Sequence, residues 1–383
     1  HKKFPHLVDT GLLNGGVFRK EKGRRFPFRF VPDTLQEPSP FKDCRFHSVF
    51  LAFPSQSLLS LRPMTHSDFV QVVRGLPKPD KIVPCVLAVG NFDGVHLGHQ
   101  ALLRTVAQTA AKQHLLAAVL TFEPHPKEFF ADRPVYRIST LRDRYRDILA
   151  CGIERIYVLP FNRSLSALSP EEFARRILAE GLNARVIYVG KNFTFGAKAA
   201  GNAKTLKDLG RTLGFTVHAE ALISRLGTTV SSSRVRQALS SGFLQEVTSL
   251  LGHPYRITGR VIHGAKLGRA LGFPTLNIDL LPPGSTSKPA LRGVYAVRIR
   301  GLNNQNSVFP GVASLGVKPT VTRDARYLLE VHVFDWSGDA YGKIVEVTFI
   351  QKLRDEKKFS SLEELKNAIS NDAKAARHLL TAS

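Results

Sequence analysis

The chain has 383 residues, 43% of them hydrophobic and 22% charged, the make-up of a globular protein with room for two cores rather than of a disordered one. A net charge of +23 raises nucleic acid as a partner, but the basic residues are spread without a long run or a Lys/Arg–aromatic repeat, so small phosphate-bearing ligands account for the field and no nucleic acid is expected. Apolar stretches reach only strand length, too short for a bilayer, and Cys44, Cys85 and Cys151 show neither metal-ligand nor disulfide spacing, which suits a cytoplasmic protein.

Residues 1–63 hold nine of the 25 Phe and seven of the 22 Pro without a sustained helix or strand period, and the only methionine is Met64. The expectation is that 1–63 is upstream sequence read in frame and outside the fold. Five acidic residues among them (Asp9, Glu21, Asp33, Glu37, Asp43) argue against the rival, an organelle transit peptide. From about residue 82 strands and helices alternate. VPCVLAVG (83–90) predicts a buried strand, 98–113 a helix, 116–123 a second strand, LRDRYRDILACG a helix stopped by Gly152, and 154–161 a third strand. SPEEFARRILAEG carries Ser169 as N-cap, Pro170 at the first helical position and Glu172 closing a capping box, and 184–190 gives a fourth strand. Such alternation predicts a parallel sheet of Rossmann type over 64–250. After GHPY (252–255) nearly everything to 353 reads as strand, predicting an antiparallel β-barrel or sandwich over 251–383. A closing helix spans about 362–380, capped by Ser361 with Glu364.

Two candidate sites carry chemistry, one in each half. Gly90-Asn91-Phe92-Asp93-Gly94-Val95-His96-Leu97-Gly98-His99 follows the first strand and opens the first helix, where unpaired N–H groups and the dipole favour an anion. Glycines allow close approach, and His96 and His99, three apart, can donate to the same phosphates. Farther on, Ser231, Ser232 and Arg236 in SSSRVR begin a helix and can hold β/γ-phosphates, although Ser-rich helix starts are also ordinary caps. Phe122, Phe193 and Phe195 are open between ring stacking and core. In the second half, Gly264, Lys266, Gly268, Arg269 and Gly272 form a glycine loop able to cover phosphates and neutralise them, leading into a P-T-x-N turn. Thr275 and Asn277 there are hard oxygen ligands on alternate positions, suited to Mg²⁺. Glu330, a carboxylate in the strand RYLLEVHVFDW, is the candidate base, with pairing to a barrel lysine the bland alternative.

The string H-L-G-H at 96–99 resembles the nucleotidyltransferase signature. GNFDGVHLGH, TFEPHP (121–126), VGKNFTFG (189–196), SSSRVR and the glycine loop with P-T-L-N together resemble bifunctional prokaryotic riboflavin kinases/FAD synthetases, over residues 82–380. The resemblance implies a nucleotidyltransferase domain followed by a kinase barrel, with riboflavin, FMN and ATP as ligands, Mg²⁺ as cofactor and FMN and FAD as products. It implies that His96 and His99 bind ATP phosphates and stabilise the transition state, and that Asn192 helps hold nucleotide or flavin. It also implies that Ser231, Ser232 and Arg236 clamp the triphosphate, that Glu330 takes the proton of the riboflavin 5′-hydroxyl, and that Arg354 lies beside the flavin. The pattern departs at Lys191, where an acid is expected, at Ser233 for threonine and at Leu276 for alanine.

Overall fold

The computed structural model describes residues 71–131, 134–220, 224–225, 228–264, 267–280, 285, 287–303, 305, 307–318 and 326–381. The expectations for residues 1–63 and for Lys266 lie outside the described residues.

The first half is built on six parallel strands: β1 (Val72–Arg74), β2 (Cys85–Val89), β3 (Leu116–Glu123), β4 (Arg155–Pro160), β5 (Ala184–Gly190) and β6 (Thr216–Glu220). Their order across the sheet is β1-β4-β3-β2-β5-β6. The chain therefore winds one way from β2 to β3 and β4 and then the other way to β5 and β6. The carboxyl end of β2 is the switch point, where an open α/β sheet leaves a crevice for ligand. β2 is continuously apolar because both faces are covered. Cys85, Leu87 and Val89 join one core cluster, Val86 and Ala88 the other, and none is more than 3% exposed. The helix Leu97–Gln113 buries Leu103, Val106 and Ala110 on its sheet-facing side and ends at His114 in left-handed conformation. The capping box forms as expected: Ser169 Oγ accepts from Glu172 N at 3.1 Å and Glu172 Oε2 accepts from Ser169 N at 3.0 Å. The helix it starts continues as a π-helical run, Phe173–Gly181.

The second half closes as a barrel of antiparallel strands: β7 (Arg256–Ile262), β8 (Leu276–Asp279), β9 (Gly293–Arg300), β10 (Phe309–Lys318), β11 (Arg326–Val333) and β12 (Ile344–Arg354), ordered β7-β8-β11-β10-β9-β12 and back to β7. The P-T-x-N stretch, expected as a turn, runs directly into β8, so Asn277 is a strand residue. Asn277 lies opposite Glu330, and Glu330 opposite Ser314, a row across three strands. The final helix, Leu362–Thr381, seats Ala373, Ala376 and Leu380 on Val294, Ala296, Val312 and Phe334.

The halves share a core. Val235 and Leu239 of the helix Ser232–Ser241, and Val247, Leu250 and Leu251 of the next helix, belong to the same buried cluster as Ile257, Val297 and Val347 of the barrel. A short parallel pairing of Tyr136–Arg137 with Lys288–Pro289 also joins them.

Candidate active sites

At the switch point a cavity of about 360 Å³ opens between the loop after β2, the loop after β5 and the start of the helix Ser232–Ser241. Gly90, Phe92, His96, His99, Asn192, Ser231 and Ser232 line it. Asn91, Asp93, Gly94 and Arg236 do not line it. The two histidines meet because the helix begins between them: His96 is its N-cap, accepting from His99 N on Nδ1 at 3.3 Å, and the rings stack at 3.7 Å with 17° between planes. With Nδ1 an acceptor, the neutral His96 ring carries its proton on Nε2. Burial, then the nearby Arg236 guanidinium, push His96 down to about 4 against the opposing pull of Asp93. Burial, then His96 and Arg236, hold His99 well below its ordinary value. Both rings are thus neutral donors at pH 7, and His99 Nδ1 is buried without a partner.

Asp93 works from beneath. Only 2% exposed, its carboxylate accepts from Ile138 N (3.1 Å) and Ser139 N (3.2 Å) and pairs with Arg236 Nη2 at 2.6 Å. Ser232 Oγ donates to the Asp93 carbonyl at 3.1 Å, tying the two phosphate-loop candidates together. Phe122 and Phe195 belong to the core, whereas Phe193 is partly buried and lines the cavity. Lys191 faces the cavity as well, its N–H donating to the Glu220 carbonyl at 2.8 Å. Glu220, from the end of β6, is the acidic residue in the wall. Sequence reading missed it because nothing in TVHAE marks a site; only the strand order brings it beside β5. A further aromatic group was also missed: Phe129, Phe130 and Phe161 contact one another edge-on at the carboxyl ends of β3 and β4, with Phe130 65% exposed.

Cavities of about 290 and 270 Å³ open on described residues of the barrel. The larger is lined by Gly268, Leu271, Phe273, Ser314, Glu330, Arg354 and Phe359, among others. The smaller has Arg269, Leu276, Trp336, Asp339 and Tyr341 in its wall. Thr275 lines both. Asn277, 6% exposed, lines neither; its amide lies directly under Gly264, where a Cβ would fall 2.4 Å from Nδ2, so a glycine is needed for the loop to cover it. Arg354 makes a bidentate pair with Asp372 (2.9 and 2.7 Å) and packs by Phe359. Glu356, unnoticed in the sequence, also lines the larger cavity; burial raises its carboxyl above the usual range despite Arg292 and Arg354.

The sequence matches the family model for FAD synthetase over residues 78–234 and that for riboflavin kinase over 251–380. It is 42% identical over 312 residues to the bifunctional riboflavin kinase/FMN adenylyltransferase of Pseudomonas fluorescens, covering 81% of this chain and 98% of that protein. It is 41% identical to the protein of the same name from Escherichia coli strain K12, over 76% of this chain and 92% of that one. The crystal structure of a macrolide-efflux protein from Streptococcus pneumoniae superposes with a TM-score of 0.63 at 29% identity, covering 80% of this chain and 99% of that one. Among the described residues no helix is long and apolar enough to cross a membrane. With a parallel α/β half, a closed barrel, and both family models and near-full-length relatives in agreement, the chain belongs to the bifunctional riboflavin kinase/FMN adenylyltransferase family.

Proposed function

We propose that the chain phosphorylates riboflavin to FMN in its barrel and adenylylates FMN to FAD in its α/β half, with ATP the donor in both steps and pyrophosphate released in the second. The division falls at 250/251: residues 64–250 form the FAD synthetase unit, 251–383 the kinase unit, and 1–63 lie outside both. The enzyme works in the cytoplasm.

The observation that carries the kinase assignment is Thr275, which lines two cavities at once. Riboflavin fits the larger, between Leu271, Phe273 and Phe359 and framed by Arg354. ATP takes the smaller, beside Arg269, so the γ-phosphoryl lies where the cavities meet. Gly264 and Gly268 cover the phosphates, and the charges of Lys266 and Arg269 would neutralise them. Glu330, in the riboflavin cavity, takes the 5′-hydroxyl proton as that oxygen bonds to the γ-phosphorus and ADP leaves. Among the described residues no group of three or more His, Cys, Asp or Glu side chains converges on a metal position. Mg²⁺ accepts few protein oxygens and takes the rest from phosphates and water, which suits Thr275, where the cavities meet; Asn277, two residues on in β8 and covered by Gly264, would be its second protein oxygen. When bound it neutralises charge on the transferring phosphates.

In the α/β half an FMN phosphate oxygen bonds to the α-phosphorus of ATP and the bond to pyrophosphate breaks. The nucleophile is already anionic, so no base is required. His96 and His99, the amides of Asn91, Phe92 and Asp93, and Ser231 and Ser232 stabilise charge on the leaving group. Gly90 and Gly94, whose own amides pair with Leu120 and Ser139, let the loop approach it, and Arg236 supports the clamp through its pair with Asp93. Asn192 orients the nucleotide or flavin, and the exposed Phe129–Phe130–Phe161 group offers the flavin ring a stacking surface.

The test is incubation of the purified protein with riboflavin, ATP and Mg²⁺, resolving flavins by chromatography over time. FMN should appear first and then convert to FAD. No phosphorylated flavin at saturating substrate would overturn the reading, and FMN without FAD would confine it to the barrel.

A further inference from the structure

Residues 136–140 form a strap held from two sides. Towards the α/β site, the N–H groups of Ile138 and Ser139 donate to the Asp93 carboxylate, and the Tyr136 carbonyl accepts from Arg236 Nε at 2.6 Å. Gly94 N donates to Ser139 Oγ at 3.2 Å, and the phosphate loop lies so close that a Cβ on Gly94 would fall 2.6 Å from Ile138 Cγ2. Towards the barrel, the Ile138 carbonyl accepts from Tyr255 Oη at 2.7 Å and the Arg137 carbonyl from Ala290 N at 2.9 Å. Arg137 Nε donates to Ser287 Oγ at 3.1 Å, and Thr140 Oγ1 to the Thr258 carbonyl at 3.3 Å. The same residue, Ile138, thus hangs by its N–H from the phosphate loop and by its C=O from the start of the barrel.

We infer that Tyr255 and Ser287, residues of the barrel half, are positioning residues for adenylyl transfer in the α/β half, acting through the strap on Asp93 and Arg236. The inference rests on the reading that the 360 Å³ cavity is the adenylylating site. Asp93 and Arg236 do not line that cavity themselves; they set where the loop carrying His96 and the start of the helix Ser232–Ser241 stand. The strap fixes both, and the barrel fixes the strap. Tyr255 suits the task because it is 3% exposed and burial, with Asp143 and Asp93 nearby, keeps its phenol protonated and so a donor. The kinase cavities do not include Tyr255, Ser287 or any strap residue. The barrel then has two tasks: its own phosphorylation and the alignment of its neighbour.

The decisive comparison is steady-state kinetics of both steps in the full-length protein for Tyr255→Phe, Ser287→Ala and Phe349→Leu. Tyr255→Phe keeps the ring and removes one donor. Phe349 packs on the Tyr255 ring but hydrogen-bonds nothing in the strap, so its variant controls for packing. The expected result is a rise of about fivefold or more in the KM for ATP of FMN adenylylation in the first two variants, the size of one lost hydrogen bond. Their riboflavin phosphorylation should keep its kcat and KM. Wild-type adenylylation in both Tyr255→Phe and Ser287→Ala, or an equal shift in Phe349→Leu, would overturn the inference. A wild-type protein that makes FMN but no FAD would instead sink the adenylylating reading of the cavity on which the inference rests, and leave the kinase reading of the barrel standing.

Discussion

Neither histidine of the phosphate loop is positively charged in the free protein at neutral pH, since burial and Arg236 oppose the charged form of both and leave each ring with a single N–H. They therefore act as oriented N–H donors. Removing one, in His99→Ala, should lower FMN adenylylation by about 10²–10³-fold, the usual loss of a transition-state donor, and leave riboflavin phosphorylation intact. Glu330→Gln should do the reverse, lowering phosphorylation by about 10²–10⁴-fold while FMN is still converted to FAD. Flavins separated after single-substrate incubations check both. A variant that loses both activities while still folded would contradict two separate sites. At this scale much of the arrangement was legible. His96 and His99 bracket a glycine at a strand-to-helix turn, and that local pattern sufficed to place them together. Glu220 was not legible, because its place depends on β6 docking beside β5 and on nothing within its own segment. Asp93 was legible as part of the loop but not as its anchor, since its partners are 45 and 143 residues away.

At the scale of elements, strand β10 meets the segment after β12. A Cβ added to Gly316 would fall 1.3 Å from Glu356 Oε1, so the bare backbone there is the seat of that carboxylate on the rim of the larger barrel cavity. The obstructed atom is the end of a flexible side chain, which can swing away. Gly316→Ala should therefore change stability by only about 1 kcal/mol, yet displace Glu356 and loosen the rim carrying Arg354, Lys357 and Phe359. The expected outcome is a KM for riboflavin about tenfold higher, with FMN adenylylation unchanged, read by steady-state assay of both steps alongside a thermal melt. An unaltered riboflavin KM would remove Glu356 from the binding rim. The α/β elements were readable because fully covered strands such as Cys85–Val89 are continuous apolar runs between glycine turns. β10 carries a weaker local signal, because Pro310, Gly311 and Gly316 interrupt FPGVASLGVK, and its strand form comes from ladders to β9 and β11 on both sides. Gly311 is itself required by that pairing, as a Cβ would fall 2.6 Å from the His332 carbonyl. β8 was hidden for a related reason, being four residues inside a motif that reads as a turn.

For the whole molecule, the two halves are joined by a common core and by charges that local sequence does not pair. Asp143, 2% exposed, accepts from Thr258 N at 2.8 Å and pairs with Arg146, which reaches Glu346 at 2.6 Å, while Asp147 pairs with Arg256. The boundary at 252–255 was visible as a change of pattern, but the joining surface was not, because its partners lie more than 100 residues apart. That burial makes stability depend on pH in a direction that can be worked out. Burial, followed by Arg137, pushes His125 down to about 4, as burial and Arg236 do for His96. In the unfolded chain both titrate near 6.5. Between pH 6.5 and 4 the unfolded state therefore binds protons that the folded state refuses, so stability is full above 6.5 and falls as pH drops through this window, by on the order of 3 kcal/mol per histidine at most. His99 adds to the same side. Asp143 opposes it: burial raises its folded pKa, so protonation in acid relieves a cost rather than adding one. Below this window Glu128, whose hydrogen bonds to Ser287, Arg137 and Ser285 outweigh burial and hold it at about 2, takes over, its contribution being lost as pH falls from 4.5 towards 2. Thermal melts from pH 7.5 to 4.5 should show Tm falling mainly below 6.5, and His125→Gln should flatten that slope. A slope unchanged by the substitution would remove His125 from this account, and a Tm that stayed level to pH 5 would mean that the buried histidines are protonated in the fold after all, and that the phosphate loop meets its nucleotide already charged.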